Sequence, residues 1–386
     1  MFIFDEPFVS DVLFDTVVRN NYPVLNNEYA RNLPNSESLN LLSDERFIEC
    51  FQQKPLIYTN SENAITWINK NLMFSDIIER IEMFKNKVKF RDLLSGMYPD
   101  FYYKEVLFEE IEKLKLNDLQ FPFIIKPAVG FFSLGVYYVE DAGEWKTIRG
   151  ELIADVARIK TYYPADVLDS SGFIIEQVIE GVEYAVDGYY NSSGEPVVLN
   201  VLKHDFAGAA DVSDRVYMTS VEIVKEVEGK VLKFLDSLSR LSVVKNFPFH
   251  LEIRIDDKGK MIPIEMNPMR FAGWCCTDVS VYAYGFSTYE YFMQSRKPEW
   301  KKIEQNTSGV TAMCVIEKGA HINDSTLKGF DYEKLKSKFK NVLALRETDY
   351  KKYGVFAFMF LKVDSENSDE LKYILNSDLT EFLITD

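Results

Sequence analysis

Three side chains with oxygen ligands lie close together in residues 247–268, where two alternating strands flank the turn 257–260 and predict a hairpin. In the register that the pattern favours, Glu252 lies opposite Glu265, and Asn267 follows on the same face. The same register pairs Asp256 with Met261, Ile255 with Ile262, Ile253 with Ile264, Leu251 with Met266 and His250 with Asn267. Carboxylates that face each other across a ladder repel unless a cation lies between them, and Glu and Asn oxygens are ligands that Mg²⁺ accepts. The solvent-facing polar side of an ordinary hairpin explains the charges equally well at this point.

A lysine ends the apolar strand that begins at residue 121. Lys126 is costly to bury unless an anion neutralises it. The residues that follow include Gly130, Ser133 and Gly135, whose backbone N–H groups could close over phosphates. The Walker sequence G-x-x-x-x-G-K-[ST] is absent here, and many surface hairpins contain a Lys-Pro before a glycine turn. This stretch alone is therefore open to both interpretations.

Two glutamates flank a glycine turn in residues 173–187. One strand runs into Gly181 and a second strand leaves it, with Glu176 before the turn and Glu183 after it. Such a hinge offers backbone groups to an adenine edge and a carboxylate to ribose hydroxyls. A hairpin with a glycine corner is the other interpretation of the same pattern.

The elements around these motifs predict a chain in three parts that mixes helices and strands. Residues 1–85 form a small α/β unit with strands at 2–4, 22–25 and 55–59 and helices at 11–20 and 62–71, capped by Ser10 and Ser61. A helical stretch at 75–94 leads into residues 86–296, with strands at 121–126, 136–139, 173–178, 184–190 and 197–202 and helices at 144–161 and 221–241. Residues 297–386 alternate strands at 310–317 and 355–363 with helices at 332–340 and 369–376.

Charge and composition exclude several classes of protein. The net charge of -16 argues against a nucleic-acid or anionic-membrane surface, because phosphates are bound through an excess of Lys and Arg. No segment approaches the roughly 18 apolar residues that span a bilayer, and the first residues do not predict a signal peptide. The four cysteines fit no disulfide or zinc spacing. We therefore expect a cytoplasmic protein that binds neither nucleic acid nor membrane.

Taken together and in order, the three motifs resemble the ATP-grasp superfamily over about residues 87–273. They are the lysine with its glycine-containing flap, the hinge E-x-x-x-x-G-x-E at 176–183 and the hairpin that ends in E-x-N-P at 265–268. The resemblance implies an ATP-grasp fold, an α+β and α/β architecture in which two subdomains grip ATP, with a flap subdomain at about 115–180. Residues 1–85 would then be a small pre-grasp domain, and residues 297–386 a C-terminal α/β extension.

The resemblance also implies a role for each matching residue. The nucleotide would be bound by Lys87, Arg91, Lys126, Ser133, Glu176, the backbone of Gln177 and Ile179, and Glu183. The metal would be held by Glu252, Glu265 and Asn267, and the catalytic cations would be Arg270 and Lys203. One departure leaves a register open: many members place an arginine one or two residues beyond the asparagine, whereas here Met269 holds the second position and Arg270 follows it.

The activity that the resemblance implies is an ATP- and Mg²⁺-dependent ligase, with Mn²⁺ as an alternative metal. It would join a small-molecule carboxylate to an amine through an acyl-phosphate and release ADP and phosphate. We expect amino-acid or peptide-like substrates and a homodimer, because both are common in the superfamily. Arg215 is a second cation that is available to a substrate carboxylate. A small-molecule kinase or other phosphotransferase, or a nucleotide-binding module without turnover, are the alternatives.

Overall fold

The computed structural model describes residues 1–129, 135–160, 172–208, 214–319, 322 and 326–385, and the side chains of 155–160 are outside that description. The predicted flap tip with Ser133 therefore lies outside the described residues. Among those residues, the strands form a four-stranded parallel sheet, a four-stranded and an eight-stranded antiparallel sheet, and a two-stranded pair. No helix in this part of the chain is both long enough and apolar enough to cross a membrane.

The chain begins with a small parallel sheet in the order β3-β2-β1-β4. Its strands are β1 (Phe2–Ile3), β2 (Pro23–Leu25), β3 (Asn40–Leu42) and β4 (Tyr58–Thr59), and its helices are α1 (Asp11–Arg19), α2 (Glu28–Arg31), α3 (Asp44–Gln53) and α4 (Ile65–Asn71). The hydroxyl of Ser10 caps α1 by accepting from the Leu13 N–H at 3.1 Å, as predicted. The sequence missed β3, because a three-residue strand with only half-buried side chains is too short to show a period.

The predicted helical stretch 75–94 is divided in two at Asn86. Helix α5 (Ile77–Lys85) ends there and α6 (Lys87–Leu94) begins, because Asn86 has an extended backbone and its side chain accepts from the N–H groups of Val88 and Lys89. Asparagine favours such N-cap positions because its side chain satisfies N–H groups that the first turn leaves unpaired. The cap fixes the direction in which α6 enters the centre of the molecule.

A four-stranded antiparallel sheet follows in the order β5-β8-β6-β7. Its strands are β5 (Tyr103–Leu107), β6 (Phe123–Pro127), β7 (Tyr137–Val139) and β8 (Gly172–Gln177), and α7 (Ala142–Lys160) packs on it. Trp145 of α7 and Phe123 and Phe173 of the sheet lie in one apolar core. This sheet begins at Tyr103, before the flap start predicted at about 115. The sequence missed β5 because only one of its five residues, Val106, is buried, so the strand shows no clear alternation.

The largest sheet has eight strands, all antiparallel, in the order β13-β12-β9-β10-β11-β14-β17-β16. Its strands are β9 (Val182–Tyr190), β10 (Pro196–Asp205), β11 (Val216–Thr219), β12 (Phe247–Ile255), β13 (Met261–Pro268), β14 (Val310–Glu317), β16 (Val342–Glu347) and β17 (Val355–Val363). Strands on both sides of residue 297 share this sheet, so the predicted division at 297 separates elements with a common backbone ladder.

The remaining elements surround this sheet. The helices are α8 (Val221–Leu241), α9 (Val279–Tyr284), α10 (Thr288–Met293), α11 (Trp300–Glu304), α12 (Tyr332–Lys336), α13 (Tyr350–Tyr353) and α14 (Asp369–Asn376), and β15 (Leu327–Phe330) pairs with β18 (Leu383–Thr385). Helix α8 packs along β10, with one apolar face that includes Val224, Val227 and Val231 buried in the main core. That face follows the i, i+3, i+7 spacing of a helix on a sheet.

The hairpin β12–β13 has the predicted register at its open end and a different one near its turn. Glu252 faces Glu265 and His250 faces Asn267, as predicted. Beyond Glu252, however, Ile253 faces Pro263 and Ile255 faces Met261, so the predicted partners Ile264 and Ile262 were wrong. The cause is a β-bulge at Ile264, an extra residue on β13 that shifts the ladder by one.

Gly181 and Gly229 give a matched test of these backbone constraints. Gly181 has a φ of +112°, and a Cβ there would lie 2.2 Å from the Ile255 carbonyl oxygen, whereas a Cβ on Gly229 in α8 would meet nothing within 4 Å. We expect Gly181→Ala to lower the free energy of unfolding by about 1–3 kcal/mol and Gly229→Ala to raise it by about 0.5–1 kcal/mol. Urea unfolding measures both, and equal effects of the same sign would contradict the assigned hinge geometry.

Candidate functional site

A cavity of about 1170 Å³ lies between the four-stranded sheet and the eight-stranded sheet. Most of the residues that the sequence selected line it: Lys87, Lys126, Glu176, Gln177, Ile179, Glu183, Glu252, Glu265 and Arg270. Arg91 and Asn267 contact members of this set through hydrogen bonds. The structure thus brings together in one place residues from motifs that are far apart in sequence.

A buried cluster of three charges lies at the back of the cavity. Glu176 of β8 accepts from Lys126 Nζ at 2.5 Å and from Arg91 Nε at 2.8 Å, and all three side chains are less than a tenth exposed. Burial raises the pKa of the Glu176 carboxyl, but Lys126 and Arg91 outweigh burial and hold it below its ordinary value. The sequence predicted Lys126 at the end of an apolar strand, where burial requires an anion. Glu176 is that anion.

Arg91 also joins the two large sheets. Its two terminal nitrogens donate to the carbonyl oxygens of Pro263 at 2.6 Å and Ile264 at 3.1 Å, on the bulged strand β13. β13 is the edge strand of the eight-stranded sheet, so carbonyl oxygens on its outer side have no partner strand and can accept from a side chain. Arg91 thus ties α6, the four-stranded sheet and the β12–β13 hairpin to one another.

Helix α6 brings a second cation to the same cavity. Lys87 precedes Arg91 by four residues and therefore lies on the same face of the helix. Its Nζ contacts Glu265 Oε2 at 2.8 Å, and its backbone N–H donates to the Ala128 carbonyl at 2.7 Å, just after β6. The resemblance assigned both Lys87 and Arg91 to the nucleotide, and the structure gives them different partners, Glu265 and Glu176.

The three predicted metal ligands lie close together, and each carries an oxygen atom that can bind a metal. Asn267 Nδ2 donates to Glu265 Oε1 at 2.9 Å and to Glu252 Oε1 at 3.4 Å. No group of three or more His, Cys, Asp or Glu side chains in the described ranges suits a metal, so the set depends on the amide of Asn267. Two carboxylates and an amide oxygen are hard ligands of the kind that Mg²⁺ accepts. These residues fit a divalent cation that also binds phosphate oxygens.

The two facing carboxylates differ in their affinity for a proton. Burial raises the pKa of Glu252 well above its ordinary value, and the charge of Glu265 raises it further. Burial also opposes ionisation of Glu265, but the charges of Lys87 and Lys126 hold its pKa far below the ordinary value. A proton on Glu252 and a lysine on Glu265 thus relieve the repulsion across the ladder.

The hinge residues are partly committed to other contacts. The N–H of Gln177 donates to the Tyr102 carbonyl at 3.0 Å, and its side-chain oxygen accepts from the Tyr102 N–H at 2.8 Å. The Ile179 carbonyl accepts from Arg254 at 2.7 Å. The predicted adenine contact would therefore need the C=O of Gln177 and the N–H of Ile179, an acceptor and a donor of the kind that an adenine edge requires.

Glu183 lies in a cluster that the sequence did not predict. Its Oε1 contacts His204 Nδ1 at 2.9 Å, and its Oε2 accepts from Arg254 Nε at 3.0 Å. Tyr217 stacks on the His204 ring at a centroid distance of 4.2 Å. Arg254 could have been found, since it follows Glu252 by two residues and alternation places both on the same face of β12.

Two cations that the sequence selected lie elsewhere. Lys203 precedes His204 in β10, so alternation turns it to the opposite face of the sheet, where it pairs with Glu366 at 2.5 Å. The prediction of Lys203 as a catalytic residue is therefore wrong, and His204 is the neighbour that lines the cavity. Arg215 donates to the carbonyl oxygens of residues 374, 375 and 377 at the end of α14, which is a helix-capping contact.

Arg270 lies at the cavity, in the register that the sequence left open. Met269 has a φ of +68° and is fully buried, and its carbonyl accepts from the Thr59 N–H of the small sheet at 2.9 Å. The next residue therefore faces the cavity, where Arg270 donates to Glu62 Oε1 through Nε at 3.1 Å and through a terminal nitrogen at 2.7 Å. No sequence signal pointed to Glu62, which lies just after the helix cap Ser61.

A fully buried aspartate fixes the segment after Arg270. Asp187 Oδ1 accepts from the Ala272 N–H at 2.7 Å and contacts His250 Nδ1 at 2.8 Å, while its Oδ2 has no hydrogen-bond partner among the described residues. The other nitrogen of His250 lies 3.6 Å from Glu252 Oε1. The aspartate thus links β9, the β12–β13 hairpin and the segment after Arg270.

A family model described as the ATP-grasp domain matches residues 119–278, which contain Lys126, Glu176, Glu183 and all three predicted metal ligands. This chain has an ATP-grasp fold. The predicted fold class is confirmed by solved structures that share it over nearly their whole length. Among curated proteins, no sequence matches the chain.

Three solved ATP-grasp structures illustrate that likeness. The L-amino acid ligase from Bacillus licheniformis has a TM-score of 0.68 at 16% identity, over 100% of this chain and 98% of that chain. The N5-carboxyaminoimidazole synthase from Aspergillus clavatus, in complex with ADP and 5-aminoimidazole ribonucleotide, has a TM-score of 0.62 at 12% identity, over 96% of each chain. The biotin carboxylase domain of 2-oxoglutarate carboxylase from Hydrogenobacter thermophilus, with ADP, its magnesium salt and bicarbonate, scores 0.60 at 12% identity over 94% of this chain and 86% of that one.

Removal of the central anion should destabilise the ATP-grasp domain. Glu176→Gln leaves Lys126 and Arg91 buried without a countercharge, so we expect the free energy of unfolding to fall by about 3–5 kcal/mol. The matched control is Glu180→Gln, an exposed glutamate on the same hinge, with an expected change within about 0.5 kcal/mol. Urea unfolding followed by circular dichroism measures both, and a Glu176→Gln protein as stable as the control would show that the cluster contributes no net stability.

Metal binding to the ATP-grasp domain should depend on pH. Because the pKa of Glu252 is raised, this carboxyl holds a proton below that pKa, and a bound metal must displace the proton. Affinity for Mg²⁺ with ADP should therefore be full above the raised pKa and fall by about tenfold for each pH unit below it. Calorimetric titration across pH measures this, and Glu252→Gln should bind more weakly with no such slope. An affinity of the native protein that stays constant over the range would refute the prediction.

Proposed function

We propose that this chain is an ATP- and Mg²⁺-dependent ligase that joins the carboxylate of one small molecule to the amine of another. The observation that carries the proposal is one cavity that holds two different sets of side chains. One set, with Lys126, Glu183 and the predicted metal ligands of the β12–β13 hairpin, suits a nucleoside triphosphate. The other, with Arg270, suits a substrate carboxylate beside it.

The nucleotide end would bind ATP through cations and oxygen ligands that the fold already orients. Lys126 and Lys87 would contact phosphates, Glu183 the ribose, and the backbone of residues 177–179 the adenine. Glu252, Glu265 and Asn267 would hold Mg²⁺, which supplies positive charge at the phosphates when it is bound. Because the side chains are buried and fixed by one another, little reorganisation would accompany phosphoryl transfer.

Arg270 would bind the substrate carboxylate and then the acyl-phosphate. An oxygen of the carboxylate attacks the γ-phosphorus, the bond to the ADP oxygen breaks, and an acyl-phosphate forms. The amine nitrogen then attacks the acyl carbon, phosphate leaves with the C–O bond electrons, and the amine proton passes to solvent. Arg270 is well placed to stabilise both steps because its guanidinium is always charged and can bind two oxygens at once.

The rest of the cavity suggests the class of substrate. Beyond Arg270 its wall is formed by apolar and aromatic side chains, many of them from strands β14 and β17: Tyr217, Trp274, Met313, Val315 and Phe358. A cation that can bind a carboxylate, next to an apolar compartment, suits an amino acid with a large apolar side chain. The L-amino acid ligase among the structural neighbours supports an amino-acid-like substrate. The homodimer and the cytoplasmic location stay predictions.

Release of ADP and phosphate from Mg·ATP tests this proposal. Amino acids are supplied in one pool with apolar side chains and another with charged side chains, to the native protein, Glu265→Gln and the exposed control Glu180→Gln. We expect equal release of ADP and phosphate, dependent on an amine and greater with the apolar pool, lost in Glu265→Gln and retained in Glu180→Gln. ADP without free phosphate, together with a phosphorylated product, would establish the kinase alternative instead. Tight ATP binding with no turnover in any pool would favour a binding module.

A further inference from the structure

Lys87 places a positive charge within the predicted metal-binding set. Its Nζ lies 2.8 Å from Glu265 Oε2, and its side chain is only 14% exposed. Its backbone N–H donates to the Ala128 carbonyl and the Asn86 cap holds the first turn of α6, so the side chain of Lys87 starts from a fixed point beside Glu265. Lys87 is thus held against the carboxylate that a metal would need.

Two more carboxylate oxygens of the set accept from a protein donor. The amide nitrogen of Asn267 donates to Glu265 Oε1 and to Glu252 Oε1. In this arrangement Asn267 presents a donor to the centre of the set, whereas a metal ligand must present its oxygen. The protein therefore satisfies its own carboxylates in a way that a divalent cation would have to displace.

We propose that Lys87 occupies the metal site in the nucleotide-free protein and excludes a divalent cation until nucleotide phosphates draw the lysine away from Glu265. This inference rests on the proposed function, since it assumes that the same cavity binds Mg²⁺ and ATP. Two cations at one carboxylate repel, and the repulsion is strong where water is largely excluded. The phosphates of a nucleotide offer Lys87 another anion and leave Glu265 to the metal.

The order of binding follows from this competition. Without nucleotide, the metal must displace Lys87 from Glu265 and turn the Asn267 amide, so its affinity is low. With nucleotide, the phosphates neutralise Lys87, and the metal gains their oxygens as further ligands. The lysine thus couples the two ligands, and the coupling must be reciprocal: metal favours nucleotide by the same factor.

Mn²⁺ binding, measured by the electron paramagnetic resonance signal of free Mn²⁺, tests the inference without any turnover. It is measured with and without ADP in the native protein, Lys87→Met and Lys89→Met. Lys89 is the matched control, since it lies on the same helix but is exposed and pairs with Glu82 at 3.0 Å. Lys87→Gln, which keeps a hydrogen-bond donor but removes the charge, serves if Lys87→Met does not fold.

We expect Lys87→Met or Lys87→Gln to bind Mn²⁺ at least tenfold more tightly than the native protein when nucleotide is absent, with Lys89→Met unchanged. We also expect ADP to tighten Mn²⁺ binding strongly in the native protein and weakly in the Lys87 variants. Variants that bind nucleotide-free Mn²⁺ no better than the native protein, although all still bind Mn²⁺ with ADP, would overturn this inference alone. Absence of Mn²⁺ binding in every protein even with ADP would overturn both the inference and the proposed function.

Discussion

Glu176 compensates Lys126 and Arg91 inside the protein, and the relation between the two large sheets depends on this cluster. A lone charge in such a place is expensive, so each of the three side chains is stable there only because the other two are present. The three come from different elements, α6, β6 and β8, and Arg91 continues to the carbonyls of β13. The cluster therefore defines the back of the cavity and sets the distance between the hinge and the β12–β13 hairpin.

The same pairing of charges extends through the cavity. Lys87 is paired with Glu265, Arg270 with Glu62, and Arg254 with Glu183, so that each named cation already has a carboxylate partner without a ligand. Paired charges hold their positions, and a polar site that is already oriented needs little rearrangement in a reaction. A phosphate or carboxylate ligand that binds one of these cations must therefore displace the internal carboxylate from it. Ligand binding would then change contacts between elements. The pair of Arg270 and Glu62, for example, connects the cavity to the small N-terminal unit.

Backbone irregularities place these side chains as much as regular strands do. The β-bulge at Ile264 shifts the hairpin by one residue and offers carbonyl oxygens to Arg91. The left-handed conformation of Met269 buries its side chain and turns Arg270 to the cavity. Gly181 is required because the hinge passes within contact distance of Ile255. Each irregularity interrupts a periodic pattern next to a charged side chain that lines the cavity.

The sequence by itself determined the facing pair Glu252 and Glu265 and the caps Ser10 and Ser61, because these depend on alternation within one hairpin and on spacing at the start of one helix. The ATP-grasp fold was predicted in another way, from the resemblance of three ordered motifs to a known superfamily. The sequence did not determine which cation meets which anion, since such pairs join residues as distant as Glu62 and Arg270. Lys203 and His204 show the limit: period two places them on opposite faces of β10, but only the packed sheets decide which face borders the cavity. The tertiary structure likewise decided that β14, β16 and β17 extend the sheet of β9 to β13, because strand pairing between distant segments is set by backbone hydrogen bonds that leave no mark in the sequence of either strand.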